Sequence, residues 1–253
     1  MTGRDTDGPG RLVAIDDAEA FAGHFGVSRE TAAKFETYAA LLSRWQKTIN
    51  LVAPGTVGEI WQRHFADSAQ LYRLAPDAAK GWVDLGSGGG FPGLVLAIML
   101  AERPGARMTL IESDSRKAAF LREVARAVAA PVDILCTRIE NASTHVKLAE
   151  VDVVTARALA PLPKLLGLAH PFLRPGATAL FLKGREAERE VAAARAAWRL
   201  DCELVPSATD REGRIVVVRD LETKPEDGIG DSDSDRSAEA QGSLGRQPEG
   251  RRR

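Results

Sequence analysis

The segment at residues 82–93, W-V-D-L-G-S-G-G-G-F-P-G, restricts the fold of this chain more than any other. Trp82, Val83 and Leu85 form the pattern of a short buried strand carrying one acid, Asp84. A loop with almost no side chains follows, and Phe91-Pro92 opens a helix. Gly86, Gly88, Gly89, Gly90 and Gly93 let the backbone turn through positive φ and approach a ligand closely. A strand, a glycine loop and a helix in that order form the place where open α/β sheets hold nucleotide-like cofactors.

Two registers of the loop compete. Gly88, Gly90 and Gly93 spell G-x-G-x-x-G, and Glu112 follows 19 residues after Gly93, as in a nicotinamide-dependent dehydrogenase. Such a fingerprint opens directly off its strand, however, and the first glycine after Leu85 is Gly86. Counted from there the pattern is D-x-G-x-G-x-G, through Asp84, Gly86, Gly88 and Gly90. It resembles motif I of the S-adenosylmethionine-dependent methyltransferases. A carboxylate at Asp84 suits a cofactor with a cationic amino-acid end and would repel a bare pyrophosphate. The methyltransferase register is favoured, and the dehydrogenase remains an alternative.

Around this loop, strand and helix patterns alternate. Strands are expected at 82–85, 108–112, 132–136, 151–155, 177–182, 204–205 and 215–219, and helices at 92–102, 115–129, 162–170 and 186–198. That rhythm specifies a mainly parallel sheet with helices on both faces. Asp210-Arg211-Glu212-Gly213 is a turn joining the last two strands into an antiparallel hairpin. The expected fold class is α/β, a Rossmann-like seven-stranded S-adenosylmethionine-dependent methyltransferase sheet over 81–221. An N-terminal helical cap over 16–80 precedes it. In the cap, helices are expected at 16–25 and 28–46, the second capped by Ser28, and Thr56-x-x-Glu59 reads as a capping box for a third. A disordered leader is expected at 1–15 and a disordered tail at 222–253. The tail, with 8 acidic and 6 basic residues, has no periodicity.

Composition excludes several classes. The longest apolar run, 94–101, is far short of the roughly 20 residues of a membrane span. Cys136 and Cys202 are too few for a disulfide framework or a cysteine metal site. A cytoplasmic monomer with no metal and no membrane partner is expected. The net charge of −1 carries no global nucleic-acid signature, so any RNA binding must rest on a local patch.

Ligands of such sheets sit at the carboxyl ends of the strands. After the second strand Glu112 can take both hydroxyls of a ribose, or cap the helix at Ser115. After the third, Ile139 and Glu140 can flank an adenine by face and edge. The fourth is followed by Arg157, a fixed cation able to grip a carboxylate or phosphate, or to pair with Glu140 or Asp152. That region contains no Asn/Asp-Pro-Pro-aromatic motif of exocyclic amine methylation and no cysteine for covalent attack on a pyrimidine. Lys183-Gly184-Arg185 adds two cations after the fifth strand. In the cap, His64 and Asp67 lie three apart on one helical face, with a structural role as the plainer reading.

An ordered set of motifs extends these observations. It comprises W-Q-K-T-I-N-L (45–51), R-H-F-A-D-S (63–68), V-D-L-G-S-G-G-G-F-P-G (83–93) and E-S-x-x-R-K-x-x-F-L (112–121), then R-I-E (138–140), A-R-A-L (156–159) and L-K-G (182–184). In these the chain is similar to the bacterial 16S rRNA guanine-N7 methyltransferase family, also called glucose-inhibited division protein B. The resemblance covers roughly Phe21 to Arg219. It implies methyl transfer from S-adenosyl-L-methionine to N7 of a guanine in a loop of 16S rRNA, with 16S rRNA or the small ribosomal subunit as partner. Carried over by position, cofactor contacts fall on Gly86, Phe91, Ile139, Glu140 and Arg157, beside Asp84 and Glu112. No residue is assigned to catalysis itself; Arg157, Lys183 and His64 are candidates for positioning. The RNA side is expected to include these three with Arg63 and Arg185. Alternatives are a methyltransferase for another RNA or a small molecule, a dehydrogenase, and a non-catalytic RNA-binding factor.

Overall fold

The computed structural model describes residues 14–141 and 151–224. Residues 1–13 of the expected leader and 225–253 of the expected tail lie outside them.

Two capped helices open the described chain. Asp17 accepts the Ala20 N–H at the start of α1 (Ala18–Phe25), and Ser28 accepts that of Thr31 at the start of α2 (Arg29–Trp45). Helix α2 buries Phe35, Tyr38 and Leu42, the face set by its helical spacing. Ile15, counted with the leader from sequence, is buried and donates its N–H to Gln62 Oε1. The capping box at Thr56 does not form. Residues Pro54–Glu59 make a 3-10 turn capped by Ala53, and Thr56 instead bonds the Ala53 carbonyl and His64 Nε2. A widened π turn, Trp61–Ala66, carries Arg63 and His64, and the short α3 (Asp67–Ala69) and a 3-10 turn (Gln70–Arg73) follow.

The sheet holds β1 (Gly81–Leu85), β2 (Arg107–Glu112), β3 (Val132–Cys136), β4 (Val153–Arg157), β5 (Thr178–Lys183), β6 (Trp198–Pro206) and β7 (Arg214–Thr223). Their order is β3-β2-β1-β4-β5-β7-β6, parallel except that β7 runs antiparallel to β5 and β6. The order reverses between β1 and β4, which places a cofactor crevice beyond their carboxyl ends. Helices α4 (Gly93–Leu100) and α5 (Ser115–Ala127) cover one face with the N-terminal helices; α6 (Leu162–Ala169) and α7 (Ala187–Ala194) cover the other. Trp82 and Leu110 belong to the first core, Val83, Leu85 and Ile111 to the second, as the period of 2 along a strand requires.

Three strands differ from expectation by two residues or more. Strand β4 lies two residues later than the predicted 151–155, because Ala156 and Arg157 pair with Phe181 and Leu182 of β5. Asp152 instead accepts the N–H groups of Lys80 and Gly81 with its carboxylate. Arg157 is therefore the last residue of a strand and not a loop residue. The second difference is β6, which starts at Trp198, inside the predicted helix, with Trp198, Leu200, Cys202 and Leu204 alternating against Arg199, Asp201 and Glu203. A shift of register between Asp201 and Cys202 interrupts that pairing. Lastly, β7 continues to Thr223, into the predicted tail, because Thr223 and Glu222 pair with Trp198 and Arg199.

Candidate active site

The glycine loop adopts the backbone that its composition allows. Gly86, Gly88 and Gly90 have φ of 66°, 55° and 92°, a region that penalises any side chain. Gly90 is also fixed by its surroundings, since a Cβ there would lie 2.2 Å from the Tyr38 hydroxyl. Tyr38 donates that hydroxyl to the Gly89 carbonyl from below. At Gly93 a Cβ would lie 2.5 Å from Cβ of Asp84, so the helix start packs directly on β1.

A cleft of about 400 Å³ opens beside the loop. Its walls include Gly86, Gly88, Glu112, Ile139, Glu140 and Leu159. Glu112 is 7% exposed; Oε2 accepts the Gly88 N–H at 2.8 Å and Oε1 that of Asp114 at 2.7 Å. It does not cap α5. Asp114 does, accepting from Arg116 and Lys117. Each carboxylate oxygen of Glu112 keeps a second lone pair for a ribose hydroxyl. The donor set thus fits an adenosine-bearing cofactor: a carboxylate for the diol, aliphatic Ile111 and Ile139 for the ring, and a volume in the usual range of roughly 300–1,000 Å³.

Of the expected cofactor contacts, Asp84, Phe91 and Arg157 do not line this cleft. Asp84 is fully buried beneath the loop, where Oδ1 accepts the Thr155 hydroxyl at 2.7 Å and Oδ2 has no hydrogen-bond partner. Burial raises its pKa to about 6. The Phe91 ring stacks on Tyr38 (5.5 Å, 9°) and lies against His64 (4.8 Å), with the Arg157 guanidinium 5.0 Å away over its face.

Arg157 gathers the second half of the site. It donates to the Arg63 carbonyl (3.0 Å), to Asp67 Oδ2 (3.3 Å) and to His64 Nδ1 (2.8 Å). Its partner is Asp67 of the cap, and neither Glu140 nor Asp152 pairs with it. A guanidinium only donates, so Nδ1 of His64 must be the acceptor and Nε2–H donates to Thr56 Oγ1. Burial, then the cations of Arg157 and Arg63, lower the His64 pKa to about 3. Asp67 does not hold His64 directly; Thr209 of the β6–β7 loop and Gln70 donate to it instead. Desolvation raises the Asp67 pKa, against the opposing pull of Arg157.

These groups border a wider cleft of about 710 Å³ between the cap and the β6–β7 loop. Arg63, His64, Arg157 and Arg211 line it, with Leu51 and Val52 on an apolar side. Arg63 is half exposed and 3.7 Å from Glu59. Ala158 lines both clefts and has a φ of 51°. Lys183 lines an adjoining cleft of about 340 Å³ that shares Asp67, Arg157, Ala158 and Asp210 with the wide one, and Arg185 lines neither. Lys183 is held internally by Glu190 and the Ala160 carbonyl, while Arg185 is exposed beside Glu186. Sequence reasoning missed Tyr38, Thr209 and Glu190. Helical spacing marks Tyr38 only as a buried position of α2, and nothing local marks the other two.

A family model described as rRNA small subunit methyltransferase G matches residues 31–214, from α2 to the first residue of β7. The chain belongs to the rRNA small subunit methyltransferase G family. It is 51% identical over 207 residues to the ribosomal RNA small subunit methyltransferase G of Parvibaculum lavamentivorans, spanning 82% of this chain and 91% of that protein. Its match to the protein of the same name from Paramagnetospirillum magneticum is 51% identical over 196 residues, or 78% and 92% of the two chains. Among solved structures, an O-methyltransferase from Bacillus cereus in complex with SAH aligns over 74% of this chain and 91% of that one. Its TM-score is 0.53 at 13% identity, a likeness of fold. Membership of a methyltransferase family decides for the S-adenosylmethionine reading and against the nicotinamide-dependent dehydrogenase. Both clefts fall inside the matched residues.

Proposed function

We propose that this protein transfers a methyl group from S-adenosylmethionine to N7 of a guanine in 16S rRNA, acting as a cytoplasmic monomer on the small ribosomal subunit or its rRNA. The observation that carries the reading is the meeting of two unlike clefts at Ala158. One fits an adenosine cofactor and the other is wide and open, with Arg63, Arg157 and Arg211 on its walls beside Glu59, Asp67 and Asp210.

When bound, S-adenosylmethionine supplies a sulfonium methyl as electrophile. Glu112 holds the ribose side of the cofactor cleft, Ile139 and Glu140 border the ring, and Gly86 and Gly88 allow close backbone approach. Guanine N7 presents a free lone pair at neutral pH, so the transfer needs no proton removal. His64 suits such a site: it stays neutral, both nitrogens are engaged, and it orients Arg157 instead of exchanging protons. Holding N7 in line with the methyl is the main task, and orientation of that kind is worth roughly 7–11 kcal/mol. N7 lies on the major-groove edge, which A-form RNA hides from side chains, so the guanine must sit in a loop or splay out. Arg63 and Arg211, on the rim of the wide cleft, supply its contact with an anionic strand, while Arg157 is held by Asp67, His64 and the Arg63 carbonyl.

The test is methyl transfer to 30S particles from cells lacking the activity, with the product base mapped. A single N7-methylguanine in the small-subunit rRNA is expected. Modification of an exocyclic amine or of carbon would refute the reading. Among the described residues no helix is long and apolar enough to cross a membrane.

A further inference from the structure

In the segment joining β4 to α6, Ala158 lines both clefts, and an ion pair holds the segment from an adjoining cleft of about 340 Å³ that Asp67, Arg157 and Asp210 also line. Ala158 keeps a left-handed backbone that a residue with a side chain adopts only where its surroundings impose it. Next to it Leu159 fills the space left by Gly86, where a Cβ would lie 2.6 Å from Leu159 Cδ1. Beyond these, Lys183 Nζ donates to the Ala160 carbonyl at 2.7 Å and pairs with Glu190 Oε2 at 2.6 Å. The same Glu190 oxygen accepts the N–H of Leu162, the first residue of α6. Pro161 between them has no N–H to give. The backbone on each side of Pro161 is thus tied to one ion pair, whose lysine side chain is only 10% exposed.

We infer that Lys183 and Glu190 act as one positioning unit, which presses the 158–162 segment against the glycine loop and so shapes the cofactor cleft. The inference rests on the reading of the 400 Å³ cleft as the cofactor site. Lys183 serves the loop and not the RNA, contrary to the expectation from Lys183-Gly184-Arg185 as a pair of surface cations. Two of its three donors are already taken by protein acceptors. Stability alone is a poor reason for such a pair, since apolar replacements of similar volume are often neutral. A fixed direction for the backbone is what the pair adds: Glu190 receives a donor from one side of Pro161, while Lys183 supplies one to the other.

The experiment uses the full-length protein. S-adenosylhomocysteine is titrated by calorimetry, KM for S-adenosylmethionine and kcat are measured on 30S particles, and 30S binding is followed against salt. Lys183→Met and Glu190→Ala are each expected to weaken S-adenosylhomocysteine binding roughly tenfold, the size of a lost hydrogen bond to a charged group. KM for the cofactor should rise by the same factor. The double variant should be no weaker than the weaker single one, because the unit is already broken. Lys183→Arg should recover part of the affinity, and the salt slope should stay that of the unsubstituted protein. If Lys183→Met does not fold, Glu190→Gln gives the same comparison at smaller size, since it keeps an acceptor and removes the charge. A salt slope lowered by about 0.7–0.9 with cofactor affinity unchanged would make Lys183 a phosphate ligand and overturn the inference. Unchanged affinity with an unchanged slope would overturn it as well. Failure of the unsubstituted protein to bind S-adenosylhomocysteine would instead refute the cofactor site.

Discussion

His64 shows how single atoms determine the chemistry of this site. Its Nδ1 faces a guanidinium and its Nε2 a threonine hydroxyl, so one tautomer is fixed and a second proton has no place on the ring. The folded-state pKa of about 3 lies below the ordinary value of 6.5, so stability is fully present above pH 6.5 and is lost as pH falls toward 3. Denaturation curves should show His64→Gln losing less stability than the unsubstituted protein across that window. Methyl transfer should show no inflection from His64 between pH 6 and 8. Asp84 works in the opposite direction. Its folded value of about 6 lies above 3.8, so burial of the carboxylate costs stability as pH rises through that range. Asp84→Asn should therefore gain stability relative to the unsubstituted protein between those values in the same measurement. The glycines are less tolerant. Gly90→Ala would set a Cβ 2.2 Å from the Tyr38 hydroxyl in a left-handed backbone, and a loss of about 1–3 kcal/mol or more is expected in thermal melts.

At the scale of elements, the site is a junction. The π turn Trp61–Ala66 supplies His64 and the Arg63 carbonyl, α3 supplies Asp67, β4 ends on Arg157, and the β6–β7 loop adds Thr209. Arg157 joins them through a flat, multiply donating head stacked on Phe91. A lysine there keeps the charge but loses the fork and the stacking. Arg157→Lys should lower kcat on 30S particles at least about tenfold. Removing Asp67 from the pair should cost more stability than replacing both partners, because an unpaired buried charge remains. The exposed cations behave differently. Replacing Arg63 and Arg211 together with alanine should reduce the salt slope of 30S binding by about 0.7–0.9 for each phosphate that is no longer neutralised, as measured by filter binding.

Across the whole molecule, the N-terminal helices are part of the glycine loop's foundation. One core runs from Ile15, Phe21, Phe35 and Tyr38 through Phe65 to Phe91, Leu94 and Phe120. Gln46 holds the turn after α2, accepting the N–H groups of Leu51 and Val52 and donating to the Val52 carbonyl. That turn lies against the loop, for a Cβ on Gly89 would stand 3.0 Å from the Leu51 carbonyl oxygen. A chain shortened to begin after residue 50 would lose Tyr38 and expose this core. It should fail to bind S-adenosylhomocysteine in calorimetry and should bind a hydrophobic dye.

Much of this was legible locally. The β–α alternation, the glycine register and the acid at Glu112 are properties of short windows, because strand period, helix period and positive φ depend on neighbours in sequence. The ends of β4 and β6 were not, since a strand stops where its partner stops pairing. Nor were the partners of Arg157 and Lys183. A cation looks the same in sequence whether it meets water, phosphate or a carboxylate folded against it. Sequence alone determined the sheet, the glycine loop and the family motifs of this protein. Only the tertiary structure decided that Asp67 and Glu190 neutralise the two cations, and that the cap holds up the glycine loop. Those pairings join residues 90 and 7 positions apart across different elements, and burial, which sets their strength, exists only in the folded chain.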